Sequence, residues 1–237
     1  MEVKLKVYRC DCGKENYSQR NNEINPNNTC NTTAMVMALE YAGYKFPTDY
    51  HPELKQPEDK LTYMCYFDDD VSNYYRRLSL PMWQAWQGEM KRLKEKESNF
   101  KKWVFKDSYP PNEVHLVLSY AARKFIKKAK ATVFREKASI KEIVEQLIQK
   151  KPVMVSVKFG NLNHCLTLVG VEVDDNNNPL YFYADDTYGK FDMETKTYQK
   201  VSGNDSKFKA EDLIPCLKEI DSKNKIAHFF NFPSEEV

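Results

Sequence analysis

The chain has 237 residues, with 41% hydrophobic and 30% charged residues and a formal net charge of +2. This length and composition allow one large globular domain or two small ones, and they exclude collagen, coiled coils and wholesale disorder. Because both signs of charge are spread along the chain, it lacks the concentrated positive face that nucleic-acid binding requires, so we expect no nucleic-acid partner.

The amino terminus alternates charged residues with Val3, Leu5 and Val7, which predicts a strand and differs from the continuous apolar segment of a signal peptide. No apolar run approaches the ~20 residues that a membrane-spanning helix needs. We therefore expect a chain that is cytoplasmic as synthesised, with no membrane span, although release by another route stays open. In that compartment the cysteines are expected to be free thiols: Cys10, Cys12, Cys30, Cys65, Cys165 and Cys216.

An asparagine-rich segment, residues 21–31, favours turns, and a buried helix is predicted to begin directly after it, at Cys30 or Asn31. Gly43 can end this helix in the left-handed conformation. Residues 50–130 are expected to form a variable helical insertion rich in aromatic residues, whose side chains are most often core or lid packing. The whole chain, residues 1–237, is predicted to be a single domain.

Two more helices are predicted, one with an apolar stripe from Val114 to Phe125 and one that begins after Ser139, where Glu142 can complete a capping box. Strands are then predicted at 153–157, 165–173, 180–184, 197–201 and 226–232. Helices first and an antiparallel sheet later is the order of an α+β fold.

Three residue types in this arrangement suggest nucleophilic catalysis. A thiol at a helix amino terminus, as expected for Cys30, has a lowered pKa because it faces unpaired backbone donors. His164 opens an apolar strand and can act as its base, and the next strand ends in Asp185 and Asp186, which returns a carboxylate to the same end of the sheet. Taken singly, each residue is more often structural than catalytic. Together they have the order and spacing of papain-type enzymes.

Two blocks of sequence carry a family resemblance. The first runs from Tyr17 through Gln19 to Cys30 and Met35, and the second runs from the Ser139 helix through Pro152-Val153 to His164 and Gly170. These blocks resemble C39-like cysteine peptidases, a papain-like family of bacteria and phages. The resemblance implies a papain-like cysteine peptidase fold, with Cys30 as nucleophile, His164 as base, an aspartate near position 185 as the orienting acid and Gln19 as the oxyanion-hole donor. It implies no metal or organic cofactor.

This chain departs from the family pattern at two positions. Cys30 is followed by Asn31-Thr32 where the family has Gly-Pro, and the acidic pair is followed by Thr187 where the family has a proline after a single Asp. The sequence therefore leaves the orienting acid open between Asp185 and Asp186. Strand alternation favours Asp185, which shares a sheet face with Tyr183. Gln19 also has a chemical reason for its role, since its amide can donate to a developing oxyanion together with the backbone N–H of Cys30.

Other motifs are weaker. Cys10 and Cys12 lack a second ligand pair at zinc-finger spacing, and Asp68-Asp69-Asp70 lacks the glycine and distal glutamate of a calcium loop. The sequence thus predicts a cysteine peptidase that forms an acyl-enzyme on a peptide or protein substrate. Two alternatives remain, a peptidoglycan-directed amidase or endopeptidase like a phage lysin, acting on cell-wall peptide, and a non-catalytic peptide-binding module of the same fold.

Overall fold

A computed structural model describes residues 5–10, 17–81, 83–84, 111–221 and 224–233 of the chain. Helices pack on a large antiparallel sheet, so the fold is α+β and papain-like, as predicted. In the part of the chain that the structure describes, no helix is long and apolar enough to cross a membrane.

The helices include the two that sequence periodicity placed most clearly. Helix α1 begins at Cys30, Gly43 follows it with φ of 92°, and α5 carries the predicted capping box between Ser139 and Glu142. The bounds are α1 Cys30–Tyr41, α2 Pro57–Phe67, α3 Asp69–Leu78, α4 Pro111–Phe125, α5 Ile140–Ile148 and α6 Ala210–Leu213, with short 3-10 helices at Gln19–Asn21 and Ile214–Cys216.

The main sheet has the strand order β2-β10-β3-β4-β5-β8, with β1 beside β4 and β9 beside β10, while β6 and β7 form a separate hairpin. All of its pairings are antiparallel. The bounds are β1 Lys6–Arg9, β2 Thr132–Ala138, β3 Val153–Phe159, β4 Leu162–Val173, β5 Pro179–Asp186, β6 Lys190–Asp192, β7 Thr197–Gln199, β8 Gly203–Lys209, β9 Glu219–Asp221 and β10 Asn224–Phe230.

The two faces of the sheet bury different neighbours because successive side chains on a strand point to opposite sides. On β4, Cys165 and Val169 belong to the core cluster shared with α1 to α4, whereas Leu166 and Leu168 belong to the cluster shared with α5. Strand β4 is therefore the central wall of both cores, and its first residues lie at the edge of both.

The predicted helical insertion, residues 50–130, contains α2, α3 and α4 in its described part, and the rest of it lies outside the described residues. Its acidic motif begins a helix: Asp68 accepts hydrogen bonds from the N–H groups of Asp70 and Val71 and pairs with Lys124 at 2.7 Å. Asp68 is therefore a helix cap. The single-domain boundaries stay a prediction.

Candidate active site

Cys30 is the first residue of α1, so its thiol lies where the unpaired N–H groups of the helix begin. The preceding loop turns sharply because the Asn22 side chain accepts hydrogen bonds from the N–H groups of Ile24 and Asn25, at 3.0 Å and 2.9 Å. From Thr32 onward the helix is almost wholly buried, while Cys30 itself keeps partial exposure. The helix thus holds a reactive position at a fixed end of the core.

His164 lies near the start of β4, paired across the sheet with Val157 of β3. Its ring is only 7% exposed, and its Nε2 is 2.7 Å from Oδ1 of Asp186. Burial lowers the pKa of His164, but the negative charge and hydrogen bond of Asp186, together with Cys30, raise it to about 10. The imidazole is therefore held in its charged form.

Asp186 is the last residue of β5 and is fully buried. Its Oδ1 also accepts a hydrogen bond from the N–H of Tyr188 at 2.9 Å. The neighbouring strand comes close because Gly203 has no side chain: a Cβ there would lie 2.2 Å from the carbonyl oxygen of Asp186. The pairing of β5 with β8 shifts register between Ala184 and Asp186, and this irregularity ends the strand at the acid.

The favoured acid of the sequence analysis is not the one on the imidazole. Asp185 faces α1 instead, where it accepts hydrogen bonds from the Tyr41 hydroxyl at 2.6 Å and the Asp205 N–H at 2.9 Å. Strand alternation correctly placed Asp185 and Tyr183 on one face of β5, but this is the face that packs against α1. Asp186 pairs with Leu166, which shares a face with His164. The preference for Asp185 was therefore wrong about which carboxylate faces the ring.

The pKa of the Cys30 thiol lies well below its ordinary value. The largest cause is a hydrogen bond from the side chain of Cys165; burial acts in the opposite direction, and the hydrogen bond and positive charge of His164 lower the pKa further. The raised pKa of His164 and the lowered pKa of Cys30 both favour a thiolate–imidazolium pair.

Gln19 is buried in the short helix Gln19–Asn21, and its side-chain amide is held at both ends. Its Oε1 accepts a hydrogen bond from the Thr187 hydroxyl at 2.7 Å, and its Nε2 donates to the carbonyl of Pro26 at 3.2 Å. Its backbone N–H donates to the carbonyl of Thr187 at 3.0 Å. These contacts tie the loop before α1 to the residue that follows Asp186, and they use one of the two N–H groups of Nε2.

Aromatic residues surround the histidine. The rings of Tyr198 and Tyr188 lie 5.9 Å and 6.4 Å from that of His164, both edge-on. Arg20 stacks on Tyr188 and donates a hydrogen bond to its carbonyl at 2.8 Å. Sequence reasoning missed these residues, since Tyr198 lies in a short polar hairpin with no motif. It also missed a role for Cys165 in the site, because this residue lies within an apolar strand.

An open cleft of about 360 Å³ adjoins the acid, between the loop that carries Arg20 and the segment that leads into β8. It is lined by Ser18, Arg20, Asp186, Thr187, Tyr188, Gly189, Lys200, Val201, Ser202 and Gly203. Asp186 lines this cleft from beneath, with its own side chain fully buried.

Within the described ranges, no group of three or more His, Cys, Asp or Glu side chains could hold a metal ion. Cys10 is buried and its thiol donates to the carbonyl of Val169 at 3.1 Å, while Cys12 lies outside those ranges. The expectation of free thiols is confirmed for the described cysteines, Cys10, Cys30, Cys65, Cys165 and Cys216.

The model of the Peptidase_C39 like family matches residues 14–211, which include Gln19, Cys30, His164 and both aspartates. No curated protein matches the chain.

Proposed function

The chain belongs to the Peptidase_C39 like family, and we propose that it is a cysteine peptidase that hydrolyses a peptide bond through Cys30, His164 and Asp186. The observation that carries the proposal is the contact of His164 with two partners at once. Its Nε2 lies 2.7 Å from Asp186, and its interaction with Cys30 raises the pKa of the imidazole and lowers that of the thiol. A nucleophile, a base and an orienting acid in this order are what acyl transfer requires.

The reaction begins from the thiolate–imidazolium pair. The sulfur of Cys30 attacks the carbonyl carbon of the substrate, and the developing oxyanion accepts hydrogen bonds from the second Nε2–H of Gln19 and the backbone N–H of Cys30. Because Nε2 of His164 is engaged by Asp186, its Nδ1 carries the proton that faces the reacting groups. That proton passes to the leaving amine, the C–N bond breaks and a thioester with Cys30 remains.

Deacylation uses the same groups in reverse. Neutral Nδ1 of His164 takes a proton from water, the hydroxide attacks the thioester carbonyl, and the carboxylic acid product leaves as the Cys30 thiolate is restored. Asp186 stabilises the imidazolium each time it forms. The substrate is a peptide or a protein.

The test is digestion of a proteome-derived peptide library by the full chain, run beside purified cell walls. We expect cleavage by the wild type, a loss of roughly 10⁴-fold or more in Cys30→Ala and in His164→Ala, and a loss of roughly 10²–10³-fold in kcat for Gln19→Ala. Cys216→Ala, which removes another partly exposed cysteine, is the matched control and should retain full activity. More than a few per cent of activity in Cys30→Ala would refute the nucleophile.

A thiol-directed epoxide separates an enzyme from a binding module of the same fold. Burial raises the pKa of Cys65 to about 12 and also raises the pKa of Cys216, so near pH 6 only Cys30 should be ionised and labelled. Stoichiometric labelling confined to Cys30, read by intact mass, supports the peptidase. Equal labelling of several cysteines, or none, supports the non-catalytic module.

A further inference from the structure

A series of polar side chains runs from Cys165, next to His164 in β4, through the apolar core. His228 Nε2 is 2.9 Å from His115 Nδ1, His115 Nε2 is 2.9 Å from Ser156 Oγ, and Ser156 Oγ is 3.8 Å from Cys165 Sγ. Cys165 in turn lowers the pKa of Cys30 through a side-chain interaction. All four of these residues are buried, with 1% to 6% of their surface exposed. The catalytic scheme above uses none of them.

Each member has one proton to donate. Burial, aided by the positive charge of Lys218, lowers the pKa of His115 to about 4. Burial, His115 and Arg123 likewise lower the pKa of His228. Both rings are therefore neutral, with one N–H each. Cys165 keeps its proton, since the hydrogen bond to Cys30 and burial raise its pKa.

The Cys30 end of the series determines its direction. Among the described residues, His228 Nδ1 at the far end is buried without a hydrogen-bond partner, so it is unsatisfied in either direction, as a donor or as an acceptor. If every proton pointed away from Cys30, the thiolate would lose its donor from Cys165. If every proton points toward Cys30, the thiolate has that donor and every N–H, O–H and S–H of the series has an acceptor. A hydrogen bond to a charged group contributes about 1.5–3 kcal/mol, so the second arrangement is favoured.

We propose that His228, His115, Ser156 and Cys165 form a one-way hydrogen-bond relay whose last S–H donates to the Cys30 thiolate. The donors run from His228 Nε2–H to His115 Nδ1, from His115 Nε2–H to Ser156 Oγ, from the Ser156 hydroxyl to Cys165 Sγ, and from Cys165 to Cys30. Aligned hydrogen bonds polarise one another, so residues remote from the substrate help to keep the nucleophile ionised. His115 also stacks on Phe134, with ring centroids 5.2 Å apart, and this contact constrains the plane of its ring. The relay consists of positioning residues, and it rests on the proposed role of Cys30.

Other charged groups also face the thiol and must be kept constant in a test. His164 from β4 and Tyr198 from β7 lie next to Cys30, with Asp186 behind the imidazole. A variant that leaves these groups in place isolates the contribution of the relay.

The experiment measures the rate of Cys30 alkylation by iodoacetamide against pH in the full chain, read by peptide mass spectrometry. Cys165→Ala removes the donor and should raise the midpoint of the curve of alkylation rate against pH by about 1–2 pH units. A hydrogen bond to a charged group contributes roughly 1.5–3 kcal/mol, and a pKa shift of one unit corresponds to about 1.4 kcal/mol. Ser156→Ala should raise it by a smaller amount, about half a unit. Cys165→Ser, which keeps a donor, should remain closer to the wild type.

The matched control is Cys10→Ala, which removes a buried thiol that donates to a backbone carbonyl of the same strand. It creates a similar cavity and should leave the midpoint unchanged. An unchanged midpoint in Cys165→Ala, or an equal shift in Cys10→Ala, would overturn the relay. The proposed function fails separately: a wild-type midpoint near 8.5 would contradict the ionised nucleophile, while alkylation needs no turnover and so tests the relay even if no substrate is cleaved.

A second measurement remains informative if the Cys165 and Ser156 variants do not fold. ¹⁵N NMR of histidine-labelled wild-type protein should show both His115 and His228 as neutral Nε2–H tautomers. A proton on Nδ1 of either ring would reverse the relay and refute it.

Discussion

Asp186 and Glu58 are both fully buried carboxylates, but they lie in regions that treat negative charge in opposite ways. At the end of β5, Asp186 has the imidazole of His164 at 2.7 Å. At the start of α2, neither carboxylate oxygen of Glu58 has a hydrogen-bond partner among the described residues. Burial, with added repulsion from Asp59 and Glu40, raises the pKa of Glu58 to about 7. Burial alone therefore does not identify a functional acid. Asp186 is a candidate because a counter-charge lies beside it, whereas Glu58 has none among the described residues.

The largest effect is expected when Asp186, the acid beside His164, is removed. Asp186→Ala should lower kcat by roughly 10²–10⁴-fold, because His164 loses both its orientation and the charge that stabilises its protonated form. Asp186→Asn should lose less, since an amide oxygen can still accept from the ring. Steady-state kinetics on a cleaved peptide measures both, with the exposed Asp175→Ala as control. A decrease of less than threefold in Asp186→Ala would mean that another group orients the imidazole.

We expect the pair of His164 and Asp186 to make the stability of the fold depend on pH. Folded His164 has a pKa of about 10 against an ordinary 6.5, so the folded state binds its proton more tightly than the unfolded chain. The stabilisation is complete below about pH 6.5 and is lost as the pH rises through about 10. Asp186→Asn should therefore be destabilised by about 3 kcal/mol near pH 6 and by much less near pH 10. Urea unfolding at both pH values tests this, and a constant difference would contradict the ion pair.

For Glu58 we expect the stability of the fold to depend on pH in the opposite direction. Its folded pKa is raised, so its ionisation destabilises the protein progressively as the pH rises from about 4.5 to about 7. Glu58→Gln should therefore stabilise the fold near pH 8 by up to about 3 kcal/mol and have little effect near pH 4. The exposed Glu136→Gln in β2 is a matched control for loss of a charge. Destabilisation by Glu58→Gln at pH 8 would show that the carboxylate has a favourable partner.

Asp185 supplies the intermediate case, a buried carboxylate whose described partners are neutral donors. Tyr41→Phe removes one of them, the hydroxyl at 2.6 Å, and should cost about 1–3 kcal/mol of stability with kcat within about twofold of the wild type. Tyr120→Phe, which keeps the stacked ring of a partly buried tyrosine, serves as control. A large loss of kcat without loss of stability would move Asp185 into the catalytic machinery.

Elements whose apolar residues follow a period were predictable from the sequence. The face of α5, the capping box at Ser139 and the apolar strands around Cys165 were all placed correctly, because burial on one or both faces imposes a visible pattern. Strands β2 and β8 were not predicted. They lie at the two edges of the sheet and carry polar residues such as Arg135 and Lys207, so the alternation that marks a half-buried strand is weak.

The candidate site was predictable at the level of residue types but not of strand register. Cys30, His164 and an adjacent aspartate follow from chemistry and order along the chain. The choice between Asp185 and Asp186 depends on which residue of β4 each one opposes, and no local pattern encodes that pairing. The burial of Glu58 was equally hidden, since a glutamate in the first turn of a helix is normally a favourable and exposed residue.

The position of β10 has a consequence for how the protein is made. This strand, which ends at Phe230, lies between β2 and β3, so the chain supplies an interior strand of its sheet after the other strands. Synthesis proceeds from the amino terminus at about 5–20 residues per second, and until β10 leaves the ribosome β2 lacks its partner and His115 lacks His228. A nascent chain can therefore carry Cys30, His164 and Asp186 for several seconds before the sheet beneath them is closed. We therefore expect the thiol end of the site to become ordered only after β10 has been synthesised.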